Sequence, residues 1–171
     1  MGSMYLVSRQ LPDANATPGV VVGVDGSDGS LWALDRAVDE AAAHGLPVYV
    51  VASVNPAPSG YTPGMADLVQ ESIERLIGGM SEVVVRGVDA VLARHPDPPR
   101  LSLHIILGNP VEALLTASAR HHTLVLGARG NGGFARLLLG SVASTLTHHS
   151  SCPVLIVPAP EYREGGTRSH S

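Results

Sequence analysis

The feature that most constrains this chain is a strict alternation of short apolar runs with longer stretches of helical periodicity. Val20–Val24 (VVVGV) is apolar throughout. That marks a strand buried on both faces, because a strand with one wet face alternates apolar and polar residues. Val48–Val54 (VYVVASV), Leu101–Leu107 (LSLHIIL), Thr123–Leu126 and Pro153–Val157 read the same way. Between them, apolar residues return every three or four positions. Leu31, Leu34, Val38 and Ala41 or Ala42 do so on a helix from Ser30 to His44, which Ser27 or Asp28 caps and Gly45 stops. Val69, Ile73, Leu76, Ile77, Met80, Val84, Val88 and Val91 form one stripe on a long helix from Met65 to about His95. Gly78-Gly79 interrupts that stripe as a point of bending or close packing. Asn109-Pro110-Val111-Glu112 joins a cap, a proline at the first helical position and a glutamate at the third, opening a helix to about His121. A last helix runs from about Gly140 to His149. This alternation predicts an α/β fold: one doubly wound open sheet of five mainly parallel strands, with right-handed crossovers and helices on both faces.

Sheets of this kind bind ligands beyond the carboxyl ends of their strands, where the strand order reverses. The stretch suited to that task is Leu124–Ser144, LVLGARGNGGFARLLLGSVAS. Its glycines follow one pattern: Gly127, two residues, Gly130, nine residues, then Gly140-Ser141. A strand that ends in glycine and re-enters a helix brings bare backbone close to phosphate oxygens. Ser141 falls in the first helical turn, where unpaired N–H groups and the helix dipole favour an anion. On this reading, a side chain at Gly127 or Gly130 takes the space of phosphate. The plainer alternative is a strand-to-helix connection whose glycines serve turn geometry alone. The loop is not a P-loop, which needs G-x-x-x-x-G-K-[ST]; all eleven basic residues of the chain are arginine. Nor is it G-x-G-x-x-G, since Gly127 and Gly130 have the wrong spacing and come late in the chain. Arg129 and Arg136 are the cations of the loop, either able to supply the charge that lysine supplies elsewhere.

The loop pattern, its helix and the following Cys-Pro-Val-Leu-Ile-Val resemble the universal stress protein family, in its ATP-binding branch. The resemblance runs from about Val20 to Pro158. It implies a strand order 3-2-1-4-5, which places the loop after strand one against the glycine loop after strand four. It also implies adenine nucleotide as ligand, ATP first with AMP or ADP as alternatives, and allows a magnesium ion. By the same resemblance Asp25 belongs to the nucleotide site, and the backbone of Ser53 meets adenine. Gly127, Arg129, Gly130, Gly140, Ser141 and Val142 match the phosphate and ribose contacts. From its residue type alone, Asp25 is equally a helix cap. One departure stands out: Ala143 occupies a position where the family often has serine or threonine. Ser144, about 100° further round the helix, does not replace it. A phosphate hydrogen bond is missing there, worth roughly 0.5–1.5 kcal/mol net. The resemblance further implies a homodimer through Pro153–Val157, a short apolar strand with no internal proline or charge to block edge pairing.

Length and composition set the frame. The 171 residues suit one domain at 19–158, between a flexible arm at 1–18 and a flexible tail at 159–171. Met1-Gly2-Ser3-Met4 reads as an expression scar. Asn55–Gly64, with Pro56, Pro58 and Pro63, reads as a mobile loop in preference to a lid over the site. A net charge of −4 without a basic stripe argues against nucleic acid. No apolar run approaches the ~18 residues of a membrane span, and the start of the chain lacks a signal-peptide core. With Cys152 the lone cysteine, a reducing cytoplasm is the expected location. Cys152 reads as an inert thiol, since no base can be assigned to it. The pairs His121-His122 and His148-His149 do not converge on a metal, because adjacent helical residues point about 100° apart. No nucleophile, acid–base pair or carboxylate cluster is legible. The role that the resemblance implies is a nucleotide-dependent stress regulator or interaction module, with slow ATP hydrolysis left open. The rivals are an enzyme on a related fold and a dimeric stress protein that binds no nucleotide. The first lacks its H-x-G-H or S-G-G-x-D-S signature here, and in the second the glycine motif is typically degraded.

Overall fold

The computed structural model describes residues 4–56, 64–130 and 139–160. Arg136, most of the Asn55–Gly64 loop and the tail from Glu161 lie outside the described residues. In chain order the elements are β1 (Leu6–Ser8), β2 (Val20–Gly23), α1 (Asp28–His44), β3 (Val48–Val54), α2 (Ala66–Leu92), β4 (Leu101–Leu107), α3 (Pro110–Ser118), β5 (Thr123–Gly127), α4 (Ser141–His149) and β6 (Val154–Val157). The strands form one sheet in the order β1-β4-β3-β2-β5-β6, and every pairing is parallel. The expected order 3-2-1-4-5 is present as β4-β3-β2-β5-β6. Val20 of β2 sits opposite Val48 of β3 on one side and Thr123 of β5 on the other, which makes β2 the centre of the fold.

The sheet has six strands where five were expected. The extra one, β1, comes from the stretch read as a flexible arm, and it lies along β4 with Leu6 opposite Ser102 and Ser8 opposite His104. A three-residue strand is too short to show periodicity. Its anchor is tertiary: Tyr5 is buried and donates its hydroxyl hydrogen bond to Asp89 Oδ1 of α2 at 2.8 Å.

Successive residues of the central strands enter opposite layers, as a period of two requires. Val20 and Val22 face α1 and α2 with Leu34, Val38, Val84 and Val88. Val21 faces α3 and α4 with Leu114, Leu124 and Leu146. Val20, Val21 and Val22 are all fully buried, each such side chain contributing roughly 1.5–3 kcal/mol.

Local signals place the helix ends. Ser27, not Asp28, caps α1, its hydroxyl accepting from the Ser30 N–H at 3.3 Å. Gly45 ends that helix in the left-handed region at φ 65°, where glycine carries no Cβ penalty. Asn109 caps α3, accepting from the N–H groups of Val111 and Glu112. Gly78 and Gly79 are not contact points: a Cβ on either would meet nothing within 4 Å. The close approach lies at Gly87, where a Cβ would come within 2.6 Å of Leu31. The buried residues of α2 are Ile77, Val84, Gly87, Val88 and Val91, all beyond its first turns.

Candidate functional site

A cavity of about 500 Å³ opens at the carboxyl ends of β2, β3 and β5. This is where the strand order reverses, as the connections from β2 and β5 leave to opposite faces. All eight residues singled out in the sequence, Asp25, Ser53, Gly127, Arg129, Gly130, Gly140, Ser141 and Val142, line it.

The wall after β2 is built by local hydrogen bonding. Asp25 Oδ1 accepts from both the N–H and the hydroxyl of Ser27. The Asp25 N–H in turn donates to Ser30 Oγ at 3.2 Å. Asp25 is therefore not the helix cap itself; it steadies the residue that is. Its other oxygen, Oδ2, lies against Gly130, where an added Cβ would meet it at 2.6 Å.

The glycine loop forms the facing wall, and its glycines have different tasks. A Cβ on Gly127 would meet the carbonyl oxygen of Gly29 at 2.7 Å and its carbon at 2.9 Å. A Cβ on Gly29 would meet the Arg129 carbonyl oxygen at 2.7 Å. The backbone of β5 and its loop thus runs flush against the first turn of α1. To the expectation that side chains at Gly127 and Gly130 fill phosphate space, the structure adds a nearer obstacle at each position. The first obstacle at Gly127 is the α1 backbone, and at Gly130 it is the Asp25 carboxylate. Gly140 differs, because its Cβ would come no closer than 3.6 Å to any of these atoms. The Gly140 N–H donates to the Ala128 carbonyl at 2.7 Å, closing the loop back on itself.

Gly140 is also the N-cap of α4, and among the described residues no side chain caps that helix. Ser141, Val142 and Ala143 carry its first N–H groups and line the cavity. In α1 and α3 a serine and an asparagine satisfy the equivalent donors. Open donors and a positive dipole end make that wall suited to an anion.

The floor is apolar, from Val51, Leu114 and Leu126, with Pro110 at its edge. Sequence reading missed these residues, since Val51 and Leu126 look like any core strand residue and only the register shows that they end at the cavity. Ser53 donates its hydroxyl hydrogen bond to the Gly108 carbonyl at 2.5 Å. Its side chain thus ties the end of β3 to the turn before α3. Ala143, 5% exposed, brings a methyl group to the lining. Asp25 and Arg129 are the ionisable residues of the lining. The arrangement can hold a ligand with a flat apolar part on the floor and an anionic part against α4.

A doubly wound parallel sheet with such a cavity at its switch point defines a class of α/β ligand-binding folds. Comparison with known proteins narrows it: the family model described as universal stress protein family matches residues 19–158, and the chain belongs to that family. A universal stress protein of Mycobacterium tuberculosis (strain CDC 1551 / Oshkosh) is 31% identical over 140 residues, covering 82% of this chain and 48% of the relative. One from Mycobacterium bovis (strain ATCC BAA-935 / AF2122/97) is 32% identical over 152 residues, with 82% and 48% covered. The chain spans about half the length of these curated relatives. Among solved structures, the universal stress protein UspA from Lactobacillus plantarum superposes with a TM-score of 0.71 at 23% identity, over 84% of this chain and 99% of that one. That likeness concerns the fold. A universal stress protein solved in complex with cAMP superposes with a TM-score of 0.58 at 28% identity, over 91% and 98% of the two chains.

Proposed function

We propose that this chain binds an adenine nucleotide in the cavity between the loops after β2 and β5, and acts as a nucleotide-dependent stress regulator or interaction module. The observation that carries the reading is α4, which opens on Gly140 at the cavity wall with no side-chain cap among the described residues. The phosphates lie against Ser141–Ala143 with Arg129 beside them, and the base lies on Val51 and Leu114. The relative solved with cAMP supports the ligand class. ATP is the first candidate, with AMP and ADP as alternatives. A magnesium ion would arrive on the triphosphate, as that hard cation usually does, with Asp25 the carboxylate of the lining.

Among the described residues the lining offers contacts for binding, and slow ATP hydrolysis stays open. The working unit is a homodimer through β6, whose outer edge ends the sheet, and its place is the cytoplasm. No helix among the described residues is long and apolar enough to cross a membrane. Mass spectrometry of small molecules released on denaturation, followed by calorimetric titration with ATP, tests the reading. ATP or AMP in the released fraction, or saturable heat with ATP, is expected. No released nucleotide and no heat with ATP, ADP or AMP at millimolar concentration refutes it.

A further inference from the structure

Residues 5–18 lie outside the segment that defines the family, yet they are fastened to the sheet at both ends and in the middle. Tyr5 is tucked under α2 and β1 pairs with β4. Beyond β1 the chain crosses to the opposite face, where α3 packs on β3 and β2 and the arm roofs the flank at β4. Leu11 joins the apolar cluster of Val51 and Leu114 there. Two histidines hold the arm down. His104, 6% exposed, has Nδ1 at 2.7 Å from the Gln10 carbonyl and Nε2 at 2.9 Å from Ser102 Oγ. Because a carbonyl only accepts, Nδ1 carries the proton and Nε2 takes the serine hydrogen. His121 Nδ1 accepts from the Gly19 N–H at 3.1 Å, where the arm enters β2. The Tyr49 ring lies between them, 6.2 Å from His104 and 4.7 Å from His121, and its hydroxyl donates to the Thr17 carbonyl at 2.7 Å.

We propose that residues 5–18 are a proton-released strap, docked while His104 and His121 are neutral and freed when they gain protons. A protonated His121 has no lone pair left for the Gly19 N–H, so two donors face each other. A protonated His104 places a charge in a nearly closed apolar layer. Burial holds His104 below the ordinary histidine range against the opposing pull of the Gln10 carbonyl. Burial and then the charge of His104 hold His121 below it too. The groups around the pair are Tyr49 on β3, whose phenol burial pushes up while Arg100 pulls it down, Ser102 on β4, and the charged Asp13, Arg100 and Arg120 on the adjoining segments. Among the described residues neither imidazole is ion-paired. Asp13 Oδ1 is turned to the Asn15 N–H at 2.8 Å.

The sign follows. The docked state binds fewer protons than the released one, so docking is at full strength above the ordinary histidine value and is lost as pH falls below it. Each histidine that gains a proton on release lowers the docking equilibrium by about tenfold per pH unit within that window. Release bares the outer edge of β4 and the flank beneath Leu11, which packs on the cluster of Val51 and Leu114.

Nuclear magnetic resonance of the isotope-labelled full chain, from about pH 7.5 to about pH 5 around the ordinary value of ~6.5, tests this. The amides of Leu6–Ser8 and Gly19 are expected to move to unstructured positions with the midpoint of the His104 and His121 ring signals, while Val20–Val22 stay in place. In the His104→Gln/His121→Gln double variant the strap is expected to stay docked across the range. Strap amides that hold their strand positions while both rings titrate overturn the proposal, as does a double variant that releases at the wild-type pH. If the double variant does not fold, coincidence or divergence of the ring and strap midpoints in the wild type still decides.

Discussion

The loop glycines can be separated by adding one methyl group at a time. Alanine at Gly127 puts a Cβ at 2.7 Å from the Gly29 carbonyl oxygen. Both partners are backbone, so α1 or β5 must shift, and overpacking of that kind costs about 1–3 kcal/mol. For a chain of this size each kcal/mol is worth roughly 2–4 °C in Tm, so Gly127→Ala should melt several degrees lower. Alanine at Gly140 meets nothing closer than 3.6 Å among the described residues, and its φ of −67° suits any residue. The gain of about 0.4–1 kcal/mol from a stiffer unfolded chain offsets a comparable loss at an N-cap, where alanine is poorer than glycine. Its Tm should therefore stay within a few degrees of wild type. That methyl stands at the head of α4, where the proposed phosphates approach, and should weaken ATP about tenfold, or ~1.4 kcal/mol. Differential scanning calorimetry and isothermal titration on both variants give the comparison. A Gly140→Ala protein that binds ATP as tightly as wild type would falsify the phosphate assignment. A Gly127→Ala protein that melts like wild type would refute the packing argument.

Asp25→Ala should lower both ATP affinity and Tm, because Asp25 Oδ1 holds two Ser27 hydrogen bonds; Asp25→Asn keeps an acceptor there and should restore most of the Tm without the affinity, a split that thermal melts and titrations read. Leu155→Pro, within β6, removes a donor from the sheet edge and should turn a dimer into monomers in sedimentation; a wild type that is already monomeric at tens of micromolar, where weak interfaces still associate, rules out this interface. Asn109→Ala removes both cap bonds of α3 and should cost about 1 kcal/mol, seen as a lower denaturant midpoint at unchanged slope. Burial pushes the Asp35 carboxyl up, but hydrogen bonds from His95 and Arg94 outweigh it and hold it below the usual range; its stabilisation is thus present above the ordinary aspartate value and lost as pH falls through the native one, so Asp35→Asn should be destabilised near neutrality and converge on wild type in acid, as urea titrations across that range would show.

Much of the fold was legible because its signals are local. Val48–Val54 and Leu101–Leu107 match their strands to the residue, since apolar runs with turn residues at both ends leave little freedom. Asn109-Pro110 marked the start of α3 by cap chemistry alone. The strand order came from the family resemblance, and β1 was missed because its cause lies elsewhere: Tyr5 has a place only once α2 presents Asp89, 84 residues away. Gly87 failed to attract attention for the same reason, since its small size answers Leu31 on another helix, whereas the conspicuous pair Gly78-Gly79 meets no neighbour.

The site shows the same division between residues and their reasons. Eight residues assigned through the family resemblance converge on one cavity, yet the resemblance could not say which glycine packs against backbone and which stands clear of it. Gly127 and Gly29 allow two backbones to touch, and that contact carries the Asp25–Ser27 turn along with it. The loop after β2 and the loop after β5 are therefore one mechanical unit, although about 100 residues separate them in the chain. A ligand that orders one wall must find the other already set, which lowers the entropy lost on binding. Cavities of this type need rigid glycine contacts behind the ligand as much as bare glycine in front of it. In this chain the first task falls to Gly29 and Gly127, and the proposed nucleotide site gives the second to Gly140.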